Sequence, residues 1–199
     1  DALGYAHEAK DMVGDSLGIV HRDINPYNFL ISYSGESKVI DFGIAKSEMA
    51  THKTETGTIK GKFVYMSPEQ SAALELDARS DIFSIGICLY EALTYRNPFA
   101  KGNAVLSLDA IQRQDPPPLA EFKEEYEVFQ DIVDRALAKN PDDRFSSCRE
   151  FGDALRALLD DGILERHPIS LQDYMNEVFR DQIIEEKRMI LETDSATTR

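Results

Sequence analysis

Long apolar runs are missing from this chain. The longest extends from Ile82 to Leu89 and is interrupted by Ser84, whereas a helix that crosses a bilayer needs roughly 20 predominantly apolar residues. We therefore predict that this chain has no membrane segment. The composition, with 42 % hydrophobic and 29 % charged residues among 199, is ordinary for a globular protein that buries one good core.

Cysteine and clustered positive charge are also scarce. The two cysteines, Cys88 and Cys148, are far apart and show neither C-x-x-C spacing nor a neighbouring histidine cluster. This pattern predicts buried or half-buried thiols in a reducing cytoplasm. The formal net charge is −14, and no cluster of lysine and arginine occurs. Because nucleic-acid phosphates are bound by such clusters, we expect no nucleic-acid partner.

One stretch, by contrast, is dense in chemical groups. Residues 21–28 read H-R-D-I-N-P-Y-N, and thirteen residues after Asn28 comes the triplet Asp41-Phe42-Gly43. His, Arg, Asp and Asn at that spacing arise by chance on the order of once in 10⁵ starting positions. The two motifs resemble the H-R-D-x-x-x-x-N catalytic loop and the D-F-G metal-binding loop of the eukaryotic-type protein kinases, in the same order. The resemblance covers residues 1 to about 160.

This resemblance implies a protein-kinase-like α+β fold. The part present is a mainly α-helical C-terminal lobe with a small β-hairpin that carries the catalytic and metal-binding loops. Neither G-x-G-x-x-G nor V-A-I-K occurs in the chain, although a kinase needs a Gly-rich loop and a strand lysine on the ATP phosphates. We therefore expect a lobe without its N-terminal partner lobe, inactive when alone. The H-R-D-I-N-P and Y-M-S-P-E-Q runs favour a bacterial kinase.

Local patterns predict the elements of the lobe. Apolar residues at helical spacing predict a first helix over residues 1 to about 13, with His7 as a surface or packing residue. Two short apolar runs, 29–31 and 38–40, flank a turn and predict a hairpin. Ser80 is the expected N-cap of a helix that is apolar on nearly every side and therefore buried. Residues 44 to 60 are expected to form a mobile loop, and further helices are predicted at about 103–113, 125–138 and 147–159.

We divide the chain into a catalytic lobe, residues 1–160, and a C-terminal extension, residues 161–199. The lobe would contain the catalytic loop at 21–28 and an activation segment at 41–69. In the extension, Ser170 precedes apolar residues spaced i, i+3, i+4, i+7 and i+8, which predicts a capped amphipathic helix that buries its stripe on something. Residues 192–199 are expected to fray.

The resemblance assigns chemistry to individual residues. Asp23 matches the carboxylate that accepts the proton of the attacking hydroxyl. Asn28 and Asp41 match the two Mg²⁺ ligands that hold the metal on the ATP phosphates. Leu30 falls where the family places the apolar floor under the adenine, and plain core packing is the alternative. ATP and Mg²⁺ are the implied cofactors.

Three further positions match structural residues of the family. Glu69 lies in Met66-Ser67-Pro68-Glu69, which resembles the A-P-E motif, and Arg144 lies in the segment whose arginine pairs with that glutamate. We therefore expect a structural Glu69–Arg144 ion pair. Asp81 falls where an aspartate tethers the backbone of the catalytic loop.

Two positions depart from the usual serine/threonine-kinase pattern. Two residues after the catalytic aspartate the family has a lysine on the γ-phosphate, but this chain has Asn25. Where the family has Gly-Thr before the substrate-docking loop, this chain has Gly61-Lys62. We infer that the cation has moved to the facing loop, so that Asn25 and Lys62 join Asp23 as candidate catalytic residues. The alternative is an exposed Lys62 and a weakened or dead enzyme.

The implied function is transfer of the γ-phosphoryl group of ATP to Ser or Thr hydroxyls of protein substrates. Autophosphorylation is expected at Thr54 or Thr56, where a phosphate could pair with Arg22. Two alternatives stay open. A pseudokinase or docking scaffold is allowed by Asn25, and a small-molecule phosphotransferase would share the same catalytic motifs but would not need residues 51–69 as a docking platform.

Overall fold

The chain is described from a computed structural model, which covers residues 1–43, 59–165 and 167–197, without the side chains of 59–61 and 194–197. The predicted mobile loop therefore lies almost entirely outside the described residues. Eight α-helices and two strands are present in the described part. Their bounds are α1 Ala2–His7, β1 Phe29–Ile31, β2 Ser37–Val39, α2 Pro68–Ser71, α3 Ala78–Thr94, α4 Ala104–Arg113, α5 Gln130–Ala136, α6 Cys148–Asp160, α7 Leu171–Val178 and α8 Arg180–Thr197.

The first helix is shorter than its apolar periodicity predicts. α1 ends at His7, and Lys10 pairs with Ser16 in an isolated antiparallel bridge. The Asp11 carboxylate accepts hydrogen bonds from the backbone N–H groups of Val13 and Asp15. A short acidic side chain that bonds nearby backbone in this way competes with helix formation, so the prediction of a helix to residue 13 was wrong.

The predicted hairpin is confirmed. β1 and β2 are antiparallel, with Phe29 opposite Val39 and Ile31 opposite Ser37. One end of this two-stranded sheet joins the catalytic loop, and the other end is the turn that contains Gly35. The hairpin thus connects the catalytic loop to the Asp41-Phe42-Gly43 triplet.

The buried helix is α3, which runs through the centre of the lobe. Ile82, Phe83, Ile87 and Tyr90 have no exposed surface. Its N-cap is Asp77, whose side chain accepts from the Arg79 N–H, so the expected capping by Ser80 was wrong. α3 separates two apolar clusters of buried residues. The first cluster comprises Tyr65, Phe83, Ile87, Tyr90, Phe99, Ala110, Ile111, Leu119, Val133 and Leu137, and the second comprises Leu3, Ile24, Ile82, Ile132, Ala136, Phe145, Cys148, Phe151 and Leu158.

Both cysteines are reduced and shielded, as predicted. Cys148 is buried and Cys88 is half-buried. Burial raises the pKa of each thiol to about 12, with a smaller contribution from a nearby carboxylate in each case. Neither thiol is therefore a reactive thiolate near neutral pH.

The remaining helices follow the predictions with shifts at their ends. α4 and α6 start directly after Asn103 and Ser147, whose side chains accept from backbone N–H groups of the first turn. The predicted helix over 125–138 is a 3₁₀ segment, Glu124–Phe129, followed by the shorter α5. The described helices include none that is both long enough and apolar enough to span a membrane.

The extension forms two helices rather than one. α7 begins after Ser170, which caps the Asp173 N–H as predicted. α8 then continues to Thr197, and fraying from residue 192 stays a prediction about its last turns. Met175 and Ile183 are buried. The rest of the predicted apolar stripe is only partly covered, because Leu171, Tyr174 and Val178 remain about half exposed.

Candidate active site

The catalytic loop is held from beneath by Asp81 in the first turn of α3. One oxygen of this carboxylate accepts from the His21 N–H at 2.7 Å, and the other accepts from the Arg22 N–H at 2.9 Å. Asp81 is 1 % exposed. Arg22 has a positive φ of 66°, a strained conformation that persists only where the surroundings fix it. The tether expected from the sequence is therefore present.

His7 also contacts this tether, which the sequence did not indicate. The His7 Nε2 lies 2.8 Å from Oδ2 of Asp81, and the side chain is 7 % exposed. Because the carboxylate accepts, the Nε2–H group of His7 donates. The other ring nitrogen, Nδ1, has no hydrogen-bond partner among the described residues. His7 and Asp81 are 74 residues apart, a separation at which local periodicity carries no information.

The ring of His21 joins the two motifs. Its Nε2 donates to the Ile40 carbonyl at 2.9 Å, and its Nδ1 accepts from the Asp23 N–H at 3.3 Å. The Phe42 ring lies 4.5 Å from it, centroid to centroid. The Gly43 N–H donates to the His21 carbonyl at 2.8 Å, and a Cβ on Gly43 would lie 2.9 Å from that oxygen. Glycine is the residue that allows the two loops to approach so closely.

Three candidate residues converge at the start of the hairpin. Nδ2 of Asn28 donates to the backbone carbonyl of Asp23 at 2.7 Å and lies 3.3 Å from its carboxylate. The Ile40 N–H donates to the Asn28 carbonyl at 3.0 Å. Asp41, the next residue, is therefore at the same end of the hairpin. It is exposed and has φ of 60°.

These side chains suit a magnesium ion. The amide nitrogen of Asn28 is turned toward Asp23, which leaves its amide oxygen for a cation, and the exposed Asp41 supplies a carboxylate. Mg²⁺ in phosphoryl-transfer sites is held by one or two such protein oxygens together with substrate phosphates and water. Among the described residues, no cluster of three or more His, Cys, Asp or Glu side chains forms a dedicated metal cage. Leu30, two residues beyond Asn28, has 52 % of its surface exposed.

Lys62 lies beside the carboxylate of Asp23. Its Nζ is 3.3 Å from Oδ2 of Asp23, and the two side chains are 36 % and 12 % exposed. Asn25, by contrast, is buried. Its Nδ2 donates to the Asp23 carbonyl, and its Oδ1 accepts from the Tyr27 N–H. Asn25 thus bonds within the loop, whereas Lys62 presents a cation to it.

The expected Glu69–Arg144 ion pair is present at the end of the activation segment. The two guanidinium nitrogens lie 2.8 Å from the two carboxylate oxygens, and both residues are buried. The Ser80 hydroxyl donates to the same carboxylate at 2.6 Å. Ser80 therefore binds Glu69 and does not cap α3. Burial by itself would raise the pKa of Glu69, but the hydrogen bonds from Arg144 and Ser80 outweigh it and lower the pKa to about 2.

Comparison with known proteins gives this geometry its family. The protein kinase domain family matches residues 1–155. This chain belongs to the protein kinase family. The kinase fold is also found in the solved kinase domain of Mycobacterium tuberculosis PknI, with 28 % identity, a TM-score of 0.55, and coverage of 79 % of this chain and 50 % of that one.

Curated relatives are bacterial kinases. The tyrosine-protein kinase MasK of Myxococcus xanthus is 38 % identical over 189 residues, which are 94 % of this chain and 29 % of that protein. A probable serine/threonine-protein kinase of Streptomyces coelicolor is 40 % identical over 162 residues, 80 % of this chain and 23 % of that protein. PknB of Mycobacterium leprae is 39 % identical over 151 residues, 75 % of this chain and 23 % of that protein. The chain thus spans less than a third of these curated relatives, and the prediction of a bacterial eukaryotic-type kinase is confirmed.

Proposed function

We propose that this chain supplies the catalytic lobe of an enzyme that transfers the γ-phosphoryl group of ATP to hydroxyl groups of proteins. One observation supports the proposal above all. A partly buried carboxylate, Asp23, lies beside the Asn28 amide and 3.3 Å from the Lys62 ammonium group, and the exposed carboxylate of Asp41 belongs to the same end of the hairpin as Asn28. Phosphoryl transfer needs a proton acceptor, metal ligands and a cation in such proximity.

The proposed role of each residue follows from its position. Asp23 orients the acceptor hydroxyl and accepts its proton. Asn28 and Asp41 would hold Mg²⁺, which neutralises charge on the phosphate oxygens when bound. Leu30 offers an exposed apolar surface on the same hairpin, suited to the face of the adenine ring.

Lys62 supplies the positive charge at the γ-phosphate in this proposal. Both polar groups of the Asn25 side chain bond to loop backbone, so we assign Asn25 to positioning the loop and the charge to Lys62. A lysine acts as a mobile point charge and can move from the Asp23 carboxylate toward a phosphate. This reading favours an active enzyme over a pseudokinase.

The acceptor hydroxyl needs its own test, since the relatives differ in name. Two of those described above are named serine/threonine kinases, and the Myxococcus relative, aligned over 189 residues, is named a tyrosine kinase. We favour Ser and Thr as acceptors, with the enzyme acting in the cytoplasm, where ATP and Mg²⁺ are supplied. Phosphoamino-acid analysis of the products distinguishes the two acceptor types.

Autophosphorylation at Thr54 or Thr56 is part of the proposal. Both residues lie outside the described part of the chain. In its support, Nε of Arg22 is buried and has no hydrogen-bond partner among the described residues, and a phosphate is a good partner for a guanidinium group. Mass spectrometry of the active full-length protein should find phosphate there, and unmodified threonines would contradict this part.

The central experiment uses the full-length protein that contains this lobe, with ATP, Mg²⁺ and a generic protein substrate. Asp23→Asn should lower kcat by about 10² to 10⁴-fold, the usual contribution of a general base, and leave the unfolding midpoint nearly unchanged. Asp41→Ala should abolish Mg²⁺-dependent transfer. Nucleotide binding without any transfer would favour the scaffold alternative, and transfer to small molecules alone would favour the small-molecule phosphotransferase.

The 199-residue chain by itself should give background counts, because it has no Gly-rich loop or V-A-I-K lysine.

A further inference from the structure

The hairpin that carries the metal-binding residues is small and poorly covered. Each strand has three residues, and Leu30 and Ile31 are 52 % and 46 % exposed. A two-stranded hairpin is marginally stable in water without further packing. Phe29 and Val39 pack on the second apolar cluster at the end near the active site. The turn at the other end therefore needs a separate support.

The C-terminal extension provides that support. Nδ2 of Asn176 in α7 donates to the Tyr33 carbonyl at 3.2 Å, and the Tyr33 hydroxyl donates to Glu186 in α8 at 3.1 Å. The Tyr33 and Phe179 rings lie 6.1 Å apart, centroid to centroid. Desolvation and the Glu186 carboxylate raise the pKa of Tyr33 above its ordinary value of 10.0. We call residues 170–186 the C-terminal clamp.

The contact is close enough to specify a glycine. Gly35 has φ of +80°, and a Cβ on it would lie 2.9 Å from the backbone nitrogen of Gln172. The first turn of α7 thus lies directly on the hairpin turn. A longer side chain at residue 35 would push the clamp away as well as strain the turn.

The two ends of the hairpin are mechanically connected. Asn28 directly precedes β1, and Asp41 follows β2 after Ile40. Three paired residues at about 3.3 Å each separate the turn from these two metal-binding candidates. A tilt of the turn would therefore change the distance and orientation of Asn28 and Asp41 relative to the rest of the lobe.

A comparison supports the clamp independently of these contacts. The kinase family match ends at residue 155, but the match to the Myxococcus kinase covers 94 % of this chain, so that at least about thirty of the aligned residues lie outside the family match. The matches to PknB from two mycobacteria cover 75 %. The extension therefore has a counterpart in at least one other bacterial kinase.

We propose that the C-terminal clamp is a positioning element of the active site, which fixes the hairpin turn and thereby sets the geometry of Asn28 and Asp41 for magnesium nucleotide. This inference rests on the proposed function for its metal part. It adds a segment outside the kinase family match to the machinery, and it assigns Tyr33, Gly35 and Asn176 to positioning.

The test compares two glycines with matched backbone conformations. Gly102 has φ of +79° and nothing within 4 Å of an added Cβ, so Gly102→Ala introduces the same strain as Gly35→Ala without the clash against Gln172. A second pair is Tyr33→Phe and Tyr95→Phe, since Tyr95 is 90 % exposed. Two quantities are measured: hydrogen exchange of the Ile40 amide in the 199-residue chain, and the Mg²⁺ concentration that gives half-maximal ATP binding in the full-length protein.

Relative to Gly102→Ala, the Gly35→Ala variant should exchange the Ile40 amide about three- to tenfold faster, the effect of losing one or two hydrogen bonds. Its Mg²⁺ requirement should rise by a similar factor, excess Mg²⁺ should restore binding, and affinity for metal-free ATP should not change. Tyr33→Phe should show the same pattern with a smaller amplitude.

Equal exchange in the two glycine variants would overturn the clamp. Faster exchange with an unchanged Mg²⁺ requirement would overturn its positioning part and leave only a structural contact. If the full-length wild type binds no magnesium nucleotide, the proposed function itself fails, together with the metal part of this inference. In that case, the exchange rates still decide whether the clamp holds the hairpin.

Discussion

The active-site face and the buried frame behind it are built in different ways. On the face, Asp41 is exposed and Lys62 is 36 % exposed, and the Asp23 carboxylate lies 3.3 Å from both the Asn28 amide nitrogen and the Lys62 ammonium group. In the frame, Asp81 is 1 % exposed and accepts bonds from both motif residues above it and from His7. The face therefore keeps its polar groups open to ligands, whereas the frame satisfies most of its polar groups internally.

This difference separates two consequences of mutation. Removing a bonded group from the frame leaves a buried partner unsatisfied, which costs stability. Under the proposed function, removing a group from the face takes away an interaction with the substrate, which costs rate and little stability. We expect changes in the frame to lower the unfolding midpoint first, and changes in the face to lower kcat in a protein that remains folded.

The largest stability effect is expected at the Glu69–Arg144 pair. Arg144→Met should lower the free energy of unfolding by about 3 to 5 kcal/mol, because it leaves the Glu69 carboxylate buried without its cation. Arg149→Met is the control, since Arg149 forms an exposed pair with Glu8 at 3.0 Å and such pairs contribute about 0 to 1 kcal/mol. Urea unfolding followed by circular dichroism measures both, and equal losses would contradict a special role for the buried pair.

The same pair should give stability a defined pH dependence. The pKa of Glu69 is about 2 in the folded chain against an ordinary value of 4.5. A depressed carboxyl pKa stabilises the folded state above the unfolded value, and this contribution is lost as pH falls from about 4.5 through about 2. The unfolding midpoint of the wild type should fall more steeply over that window than the midpoint of the double variant Glu69→Gln, Arg144→Met.

The second prediction concerns the face. Lys62→Thr in the full-length enzyme should lower kcat by about 10² to 10³-fold, the typical loss for a removed transition-state charge contact, with little change in ATP affinity or unfolding midpoint. Lys101→Thr, at an exposed position, should change neither. Adding Asn25→Lys to Lys62→Thr should restore part of the rate, although it removes the buried Asn25 side chain, which accepts a hydrogen bond from the Tyr27 N–H. A Lys62→Thr enzyme with the kcat of the wild type would place the charge elsewhere.

The sequence predicted much of the frame through motif resemblance and little of it through periodicity. Glu69 and Arg144 were paired across 75 residues because each lies in a recognisable motif. His7 lies in no motif that was recognised, and its bond to Asp81 depends on how α1 meets α3. Two predictions, the length of α1 and the N-cap of α3, were wrong for a common reason. The side chains of Asp11 and Asp77 accept hydrogen bonds from neighbouring backbone N–H groups, and the spacing of apolar residues carries no information about such local bonds.

The extension shows the same limit. Its amphipathic pattern and the Ser170 cap were predicted correctly, but the pattern could not indicate which surface receives the helix. That surface is the hairpin turn, and the signal is Gly35, which reads from the sequence as an ordinary turn residue. Only the tertiary structure shows that the backbone of Gln172 occupies the position where a side chain on residue 35 would lie.

The third prediction tests His7 as part of the frame. His7→Leu should lower the free energy of unfolding by about 1 to 3 kcal/mol, because the buried Asp81 carboxylate loses one of its donors. His7→Gln retains an N–H donor and should lose less. His167→Leu is the control, since this histidine is exposed and surface changes are usually within about 0.5 kcal/mol. A loss for His7→Leu no larger than that of the control would remove His7 from the frame.

The smallest effect is expected where the frame fails to satisfy a polar group. Nζ of Lys139 is buried without a hydrogen-bond partner among the described residues and lies 4.2 Å from the centre of the Phe99 ring. Burial, with a smaller contribution from the Arg144 charge, outweighs the attraction of the Asp115 carboxylate and lowers the pKa of Lys139 from 10.5 to about 8. The unfolded chain therefore binds more protons than the folded chain between about pH 8 and 10.5, and this lysine makes stability rise with pH across that window.

Lys139→Met should stabilise the chain on the order of 1 kcal/mol at pH 7, since the cation–π contact offsets part of the burial cost. The gain should shrink toward pH 10, whereas Lys101→Met should show no such trend. A loss of stability in Lys139→Met at pH 7 would mean that the aromatic contact outweighs burial, and that the frame is satisfied at this position too.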